Sequence, residues 1–535
     1  MKKRIARIMA VALTISFVVM DMAPMTEVYA TGVQDVVLSE DVSETDVVEE
    51  SEIPEIQVSE EPESETESET ENVAEEPSEN YTDEVMQEPS EEECTDENLD
   101  SEESVNEEET EFSEELSEEF SEPVILVHSV EELDEGLLKG ANVGIAISEE
   151  IFPDELFREY LRDNFDKNAD DIFDAGEIEK IDDVDIRTKN IADLKGIEYL
   201  RYLRFFNCNR TSIRYIDVSK NVRLEKLYIS DTLLTELDVT KNVMLKVLIC
   251  KSNCLTKLDV SKNTELENLD FSWNGLKEIN LRNCKKLKTL YAYTTNLEKL
   301  DLSQNTELLY LDILSAKLKK LDITKNVNLI HVSCDNNPLT SLDISKCKML
   351  QVLDCSNTYI QKLDVSKNAY LYSLTCTRSK LKMLDVSKNA NLQTLNVEYT
   401  NISKLDVSRN LDLRQLKIDG TQIETLELSA NLELSSFSCG SCMLTSLDLT
   451  GNTKLSGKTY NSNYTIELDE NNSFDLQNLP GDMDVSRVSA YEGCSLEGSV
   501  LTFSETALGR GYAIYTYRCS ENAELRVKLY FNPCA

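Results

Sequence analysis

Apolar residues return along the middle of this chain at a fixed interval. In Leu224-x-x-Leu227-x-Ile229-x-x-Thr232-x-Leu234-x-x-Leu237-x-Val239-x-x-Asn242, two short runs alternate apolar and polar positions. The second run recurs as Ile216-Asp-Val-Ser-Lys-Asn221, Leu237-Asp-Val-Thr-Lys-Asn242, Leu258-Asp-Val-Ser-Lys-Asn263 and onward to Leu447-Asp-Leu-Thr-Gly-Asn452. Its first aliphatic residue stands at 216, 237, 258, 279, 300, 321, 342, 363, 384, 405, 426 and 447, a spacing of 21 residues without insertion or deletion. Alternation of period two predicts short strands, with Leu227 and Ile229 inward and Tyr228 outward. A unit this small cannot bury its own apolar face, so the fixed period predicts a repeat solenoid in which each turn covers the next.

The LxxLxLxxN form of the unit resembles the leucine-rich repeat, in its short variety, over roughly half of the chain. The resemblance implies a parallel β-sheet along a curved or nearly flat face. It extends to secreted bacterial repeat proteins, including the internalin-like group, which act as adhesins or interaction modules. The Asn column (221, 242, 263, 305, 326, 368, 389, 410, 431, 452) suits buried amides that pair with backbone groups left open where the chain leaves the strand. Cys284 and Cys347 fill the two missing places, a swap that leucine-rich repeats tolerate.

The flanks lose this rhythm. Residues 1–30 read as an export signal: Lys2, Lys3, Arg4 and Arg7 precede an apolar run from Ile8 to Met20, and Val28-Tyr-Ala30 offers small residues for cleavage. The run is too short for a comfortable membrane span. Residues 31–123 hold about forty Asp and Glu and no Lys or Arg, so most of the formal charge of −48 sits here. Such a segment repels itself and buries too little apolar surface to offset its ordering entropy, which predicts a disordered, extended spacer. After Leu455, runs at Tyr464–Leu468, Ser499–Phe503, Tyr512–Tyr517 and Leu525–Phe531 alternate like antiparallel strands. Residues 456–535 therefore predict a C-terminal β-sandwich-like module. With no hydrophobic tail or sorting motif at Ala535, the expectation is a protein that is released or held loosely at a cell surface.

Residues 124–195 predict a small helical N-terminal cap. Phe152–Phe165 places Leu156, Tyr160 and Leu161 at helical spacing. The loop that follows, Asp166 to Glu177, resembles an EF-hand calcium loop. The resemblance gives ligand places to Asp166, Asn168, Asp170, the Ile172 carbonyl, Asp174 and Glu177, all hard oxygen donors. It departs at the sixth place, where Asp171 stands instead of the Gly that a left-handed turn prefers. Calcium is the one cofactor the sequence implies, in a structural role.

Catalysis finds no footing. His128 and His331 are the only histidines, and neither lies near a serine elbow or a metal cluster; no phosphate-cradling glycine loop or HExxH is present. No CxxC pair with zinc spacing is expected. Six cysteines, Cys208, Cys250, Cys334, Cys355, Cys376 and Cys439, occupy an inward column as small hydrophobes. Free thiols of that kind in an exported protein suit a reducing habitat. No basic stripe with interleaved aromatics suits nucleic acid.

What remains is surface. The Asp ladder (217, 238, 259, 301, 322, 343, 364, 385, 406, 448) is uniform and reads as structural. The outward positions of the other half-strand vary from rung to rung and include Tyr228, Trp273, Tyr291, Tyr293, Tyr310, His331, Tyr372 and Tyr399. Aromatic rings give large contact area for little lost side-chain freedom. These eight are the candidate partner-binding residues, with Trp273, Tyr291, Tyr293 and Tyr310 as the central patch. The expected function is a non-enzymatic scaffold for a protein partner on a host or neighbouring cell. A glycan or cell-wall ligand stacked on Trp273, Tyr291 and Tyr293, and a self-associating surface layer, are the alternatives.

Overall fold

The computed structural model describes residues 125–127 and 143–532. The expected export segment and acidic spacer lie outside the described residues. Thirteen short strands form one parallel sheet in chain order, running from Asp183–Asp185 through Phe205–Asn207 and Lys226–Tyr228 to Ser436–Ser438. Its first strand falls inside the residues expected to form the cap. Register is set by the apolar residue at the centre of each strand, leucine in nine of the thirteen: Leu227 pairs with Leu248 and Leu248 with Leu269. These leucines are fully buried, and each such burial contributes about 1.5–3 kcal/mol. A slip of one residue would turn the whole column to solvent.

Each rung leaves the sheet through one left-handed residue. Arg210, Asp231, Ser252, Trp273, Thr294, Ser315, Asn336, Asn357, Arg378 and Tyr399 all have φ of 50–59°. That conformation costs about 1–2 kcal/mol for a residue with a Cβ. A polar side chain one place on offsets it by capping the third carbonyl back: Thr211 Oγ1 donates to Cys208 O, Thr358 Oγ1 to Cys355 O, and Asn337 Nδ2 to Cys334 O at 3.1 Å. Trp273 and Tyr399 therefore belong to this turn rather than to outward strand positions.

The Asn column donates as the sequence expects, while the Oδ1 atoms of the same residues, such as Asn221 and Asn242, are buried without a hydrogen-bond partner. Asn242 Nδ2 donates to Val218 O and Asn221 O at 2.8 and 2.9 Å, and the pattern repeats up the stack. Cys347 makes weaker contacts in the same place, with Sγ 3.7 Å from both Ile323 O and Asn326 O. Each Asp of the ladder accepts the N–H two residues on, as Asp259 does from Ser261 at 2.8 Å. The hydroxyl and N–H of that residue hold the Asp238, Asp322 and Asp364 carboxyls below their ordinary pKa.

In the N-terminal cap, Asp154 caps helix α1, Glu155–Phe165. The helix buries Phe157 and Leu161 and leaves Leu156 exposed, so its inward face is one residue away from the Leu156 expected from spacing. Phe152 meets Phe157 and Phe173 edge-on at 5.9 and 6.4 Å. Gly196, at φ +98°, passes over this ring: a Cβ there would lie 2.3 Å from Phe152.

The C-terminal module has two sheets. The strands Thr459–Glu467, Glu524–Asn532, Tyr512–Arg518 and Val488–Glu492 form one, in that order; Ser473–Asp475, Val500–Phe503 and Cys494–Glu497 form the other. Alternation suggested antiparallel pairing throughout, but Thr459–Glu467 runs parallel to Glu524–Asn532. Alternation reports which face is buried, and parallel and antiparallel neighbours share it.

Candidate functional site: the open face of the sheet

Because the strands pair in register, outward side chains stand in rows. One row reads Thr289, Tyr310, His331, Val352; the next reads Asp270, Tyr291, Asp312, Ser333, Asp354. Two residues beyond lie Tyr293, Leu314, Asp335 and Ser356.

The structure brings half of the candidate residues together. Tyr291, Tyr293, Tyr310 and His331 share three consecutive rungs, and the Tyr310 and His331 rings lie 6.3 Å apart with planes tilted by 31°. Tyr291 is largely sunk, and burial pushes its phenol up. Burial also lowers the His331 pKa, so this imidazole is neutral near pH 7. Tyr372 stands at the entry to its strand, 41% exposed. Tyr228 lies toward the N-terminal end, its ring 5.4 Å from Phe205. Trp273 and Tyr399 sit apart on the turn, exposed, and Arg378 stacks over Tyr399 at 4.9 Å.

The same rows hold carboxylates that a search for aromatic rings passes by. Burial pushes Asp312 up to about 6 and Asp335 up to about 7, and the neighbouring Asp354 raises both further. Asp354 and the fully buried Asp270 are raised by burial as well. The signal was present in the sequence as a contrast between rows: Asp is uniform in the ladder but irregular here.

In the EF-hand-like loop, Asp171 takes φ +60°, the left-handed turn required at the sixth place. Asp166 accepts N–H groups from Ala169 and Asp171 at 2.8 and 3.0 Å, and Glu177 those of Lys167 and Asp174 at 2.7 and 3.2 Å. Asn168 and Asp170 face each other at 3.0 Å, Ile172 enters a two-residue strand, and Asp174 caps the short helix α2, Ala175–Ile178. Among the described residues, no three Asp, Glu, His or Cys side chains converge closely enough to hold a metal ion.

The thiols of the inward column are buried and structural in their placement. Cys355 and Cys376 Sγ atoms are 3.5 Å apart on adjacent rungs, and both are free. Against the expectation of no CxxC pair, Cys439-Gly440-Ser441-Cys442 has that spacing. Cys442 stands in the threonine column of the turn, and its Sγ donates to Cys439 O at 2.7 Å.

The parallel sheet and its repeating turns define a leucine-rich-repeat fold. The Leucine Rich repeat family model matches residues 440–458. The chain is similar to the functional domain of InlJ from Listeria monocytogenes, a structure that includes a cysteine ladder, at 26% identity, covering 73% of this chain and 99% of that one with a TM-score of 0.53. It shares its fold with the internalin InlF of L. monocytogenes str. 4b F2365 (20% identity, 60% and 98% covered, TM-score 0.54). It also does so with the Leptospira interrogans leucine-rich-repeat protein LIC12759 (19%, 53% and 80%, 0.50). No curated protein sequence matches the chain. Among the described residues no helix is long and apolar enough to cross a membrane.

Proposed function

We propose that this chain is an exported, non-enzymatic scaffold that binds a protein on a host or neighbouring cell through the open face of its sheet, and that it is secreted or loosely held at its own cell surface. The observation that carries the reading is the row structure of that face. Tyr310 and His331 share a row of a sheet whose inner columns are fully buried, and the exposed Tyr372 stands at the entry to the strand two rungs beyond His331, so ring contact area is presented on a rigid support. Retention of the full chain on intact cells tests it. Retention should fall at least tenfold when the cells are first treated with protease, and equally for the Tyr310→Ala/Tyr372→Ala variant. Retention that ignores both treatments sinks the reading. Retention that survives protease but is lost on periodate oxidation of surface sugars would instead support a glycan ligand, for which the half-exposed Trp273 ring is the natural platform.

We also propose calcium as a structural ligand of the cap. The loop offers oxygen from Asp166, Asn168, Asp170, Ile172, Asp174 and Glu177, and Asp171 already holds the turn that such a loop needs. Bound there, calcium would tie α1 to α2 and stiffen the end of the solenoid.

A further inference from the structure

The last rung of the solenoid departs from a pattern that most of the others keep. Three places after the inward residue at a strand exit stands a side chain that caps its carbonyl. Thr211 Oγ1 lies 2.8 Å from Cys208 O, Thr295 Oγ1 2.9 Å from Ala292 O, and Thr421 Oγ1 2.7 Å from Ile418 O. After Cys439 that place belongs to Cys442, and no other rung puts cysteine at both positions. The Cys442 sulfur is held where an oxygen fits: Sγ is 2.7 Å from Cys439 O, whereas Cys208, Cys284 and Cys347 keep their sulfurs 3.6, 3.5 and 3.7 Å from the carbonyls they face. A thiol is also a weak donor. This turn therefore has a crowded sulfur in place of a good hydrogen bond.

The geometry suits a bond between the two sulfurs. Ser441, at φ 56°, and the Cys442 N–H, 3.4 Å from Cys439 O, close a four-residue turn. Such a turn brings its first and fourth Cα atoms within about 7 Å, and a disulfide needs about 4.4–6.8 Å. Both thiols are free and buried, and they lie close enough to share a hydrogen bond. The Cys439 thiol beside it lowers the pKa of Cys442, which favours the nucleophilic thiolate. Tyr460, only 5% exposed, has a hydroxyl without a hydrogen-bond partner and is influenced electrostatically by Cys439 and Cys519. An unused donor of that kind can stabilise a thiolate.

The pair also stands on a seam. Cys442 O accepts Asn463 N–H and Ser462 Oγ at 3.0 Å each, and Cys442 pairs in parallel with Ser462. The turn thus joins the solenoid to the first strand of the C-terminal module, Thr459–Glu467.

We propose that Cys439 and Cys442 are a redox site, a dithiol that exchanges with low-molecular-weight disulfides. The Cys442 thiolate attacks one sulfur of the small disulfide and expels the other as a thiolate. Cys439 then gives up its proton and attacks the Cys442 sulfur of the mixed disulfide, expelling the second thiolate. The protons lost by the two cysteines end on the two released thiols, so the protein pair is oxidised by two electrons and the small disulfide is reduced. The new bond draws Cys442 Sγ away from the carbonyl. Because both sulfurs are buried, exchange proceeds through local opening of this turn.

The test incubates the folded, reduced full chain with oxidised and reduced glutathione near neutral pH until the products stop changing. Free thiols are blocked with N-ethylmaleimide and the chain is cut with trypsin, which leaves Cys439 and Cys442 as the only cysteines of peptide 418–454. As oxidised glutathione rises, this peptide should lose both maleimide groups and become two hydrogens lighter than the dithiol, and dithiothreitol should reverse the change. Cys439→Val, a residue the same column holds at Val397, should trap one glutathione on Cys442. Cys442→Thr, which restores the capping side chain, should leave Cys439 unmodified; glutathione on Cys439 in that variant overturns Cys442 as the attacking thiol. A peptide that keeps both maleimide groups in the folded chain, at glutathione ratios that oxidise it in urea, overturns the site. So does a cross-link from either cysteine to Cys519.

Discussion

Asn326 Nδ2 donates to the carbonyl oxygen of Asn305 at 2.8 Å and to that of Leu302 at 3.0 Å. One side chain thus satisfies two carbonyls of the rung before it, and the asparagine of each rung holds the last turn of its neighbour. Asn326→Ala removes one of two donors from each of these buried carbonyls, which keep the N–H groups of Asn305 and Leu308, and should cost about 1–2 kcal/mol. Asn326→Cys should cost less, because Cys347 shows the thiol reaching the same pair of carbonyls. Urea unfolding checks this: the midpoint should fall for both variants, further for Ala, with the slope unchanged.

Tyr399 lies across the next rung's turn, where Gly420 has φ +66° and a Cβ would sit 2.5 Å from the ring. The left-handed backbone alone is tolerated, since nine other rungs before Tyr399 place a residue with a Cβ there. Gly420→Ala should therefore destabilise mainly by displacing the ring from Arg378, by about 1–2 kcal/mol. In a double-mutant cycle, Tyr399→Ala should remove most of that penalty. Additive effects would mean that the ring is not the obstacle.

The raised carboxyls on the sheet face give stability a sign with pH. For Asp312 and Asp335 the folded pKa values of about 6 and 7 lie above an unfolded value of about 3.9. Their contribution is fully present below the unfolded pKa and is lost as pH rises through 6 to 7. His331, lowered by burial, acts oppositely as pH falls below about 6.5. The ladder carboxyls, held low, lose their contribution only below about pH 4. The melting temperature should therefore fall between about pH 4.5 and 7 more steeply in wild type than in Asp312→Asn/Asp335→Asn. Identical profiles would show these carboxyls to be well solvated.

Calcium binding at the cap predicts a melting temperature that rises with millimolar calcium and returns with chelator. Glu177→Gln should abolish the response, because the twelfth ligand closes the shell with two charged oxygens. Calorimetric titration without heat, together with unchanged melts, would leave the loop as a hydrogen-bonded turn only.

The sequence by itself determined the solenoid. A strict period of 21 with fixed inward leucines allows one register, and the Asn and Asp columns recur because every rung must satisfy the same backbone groups. It also marked which outward positions vary. Tertiary structure decided what those positions become. Trp273 and Tyr399 left the sheet because the strand ends three places before the turn residue, a boundary that alternation does not mark. Tyr291 sank while Tyr310 met His331, since depth depends on what stands on the neighbouring rungs, 21 residues away in either direction. Asp312 and Asp354 came onto one row and Asp335 onto the next for the same reason: only stacking sets side chains from separate repeats side by side, and only packing removes the water that would otherwise hold their carboxyls at the ordinary pKa.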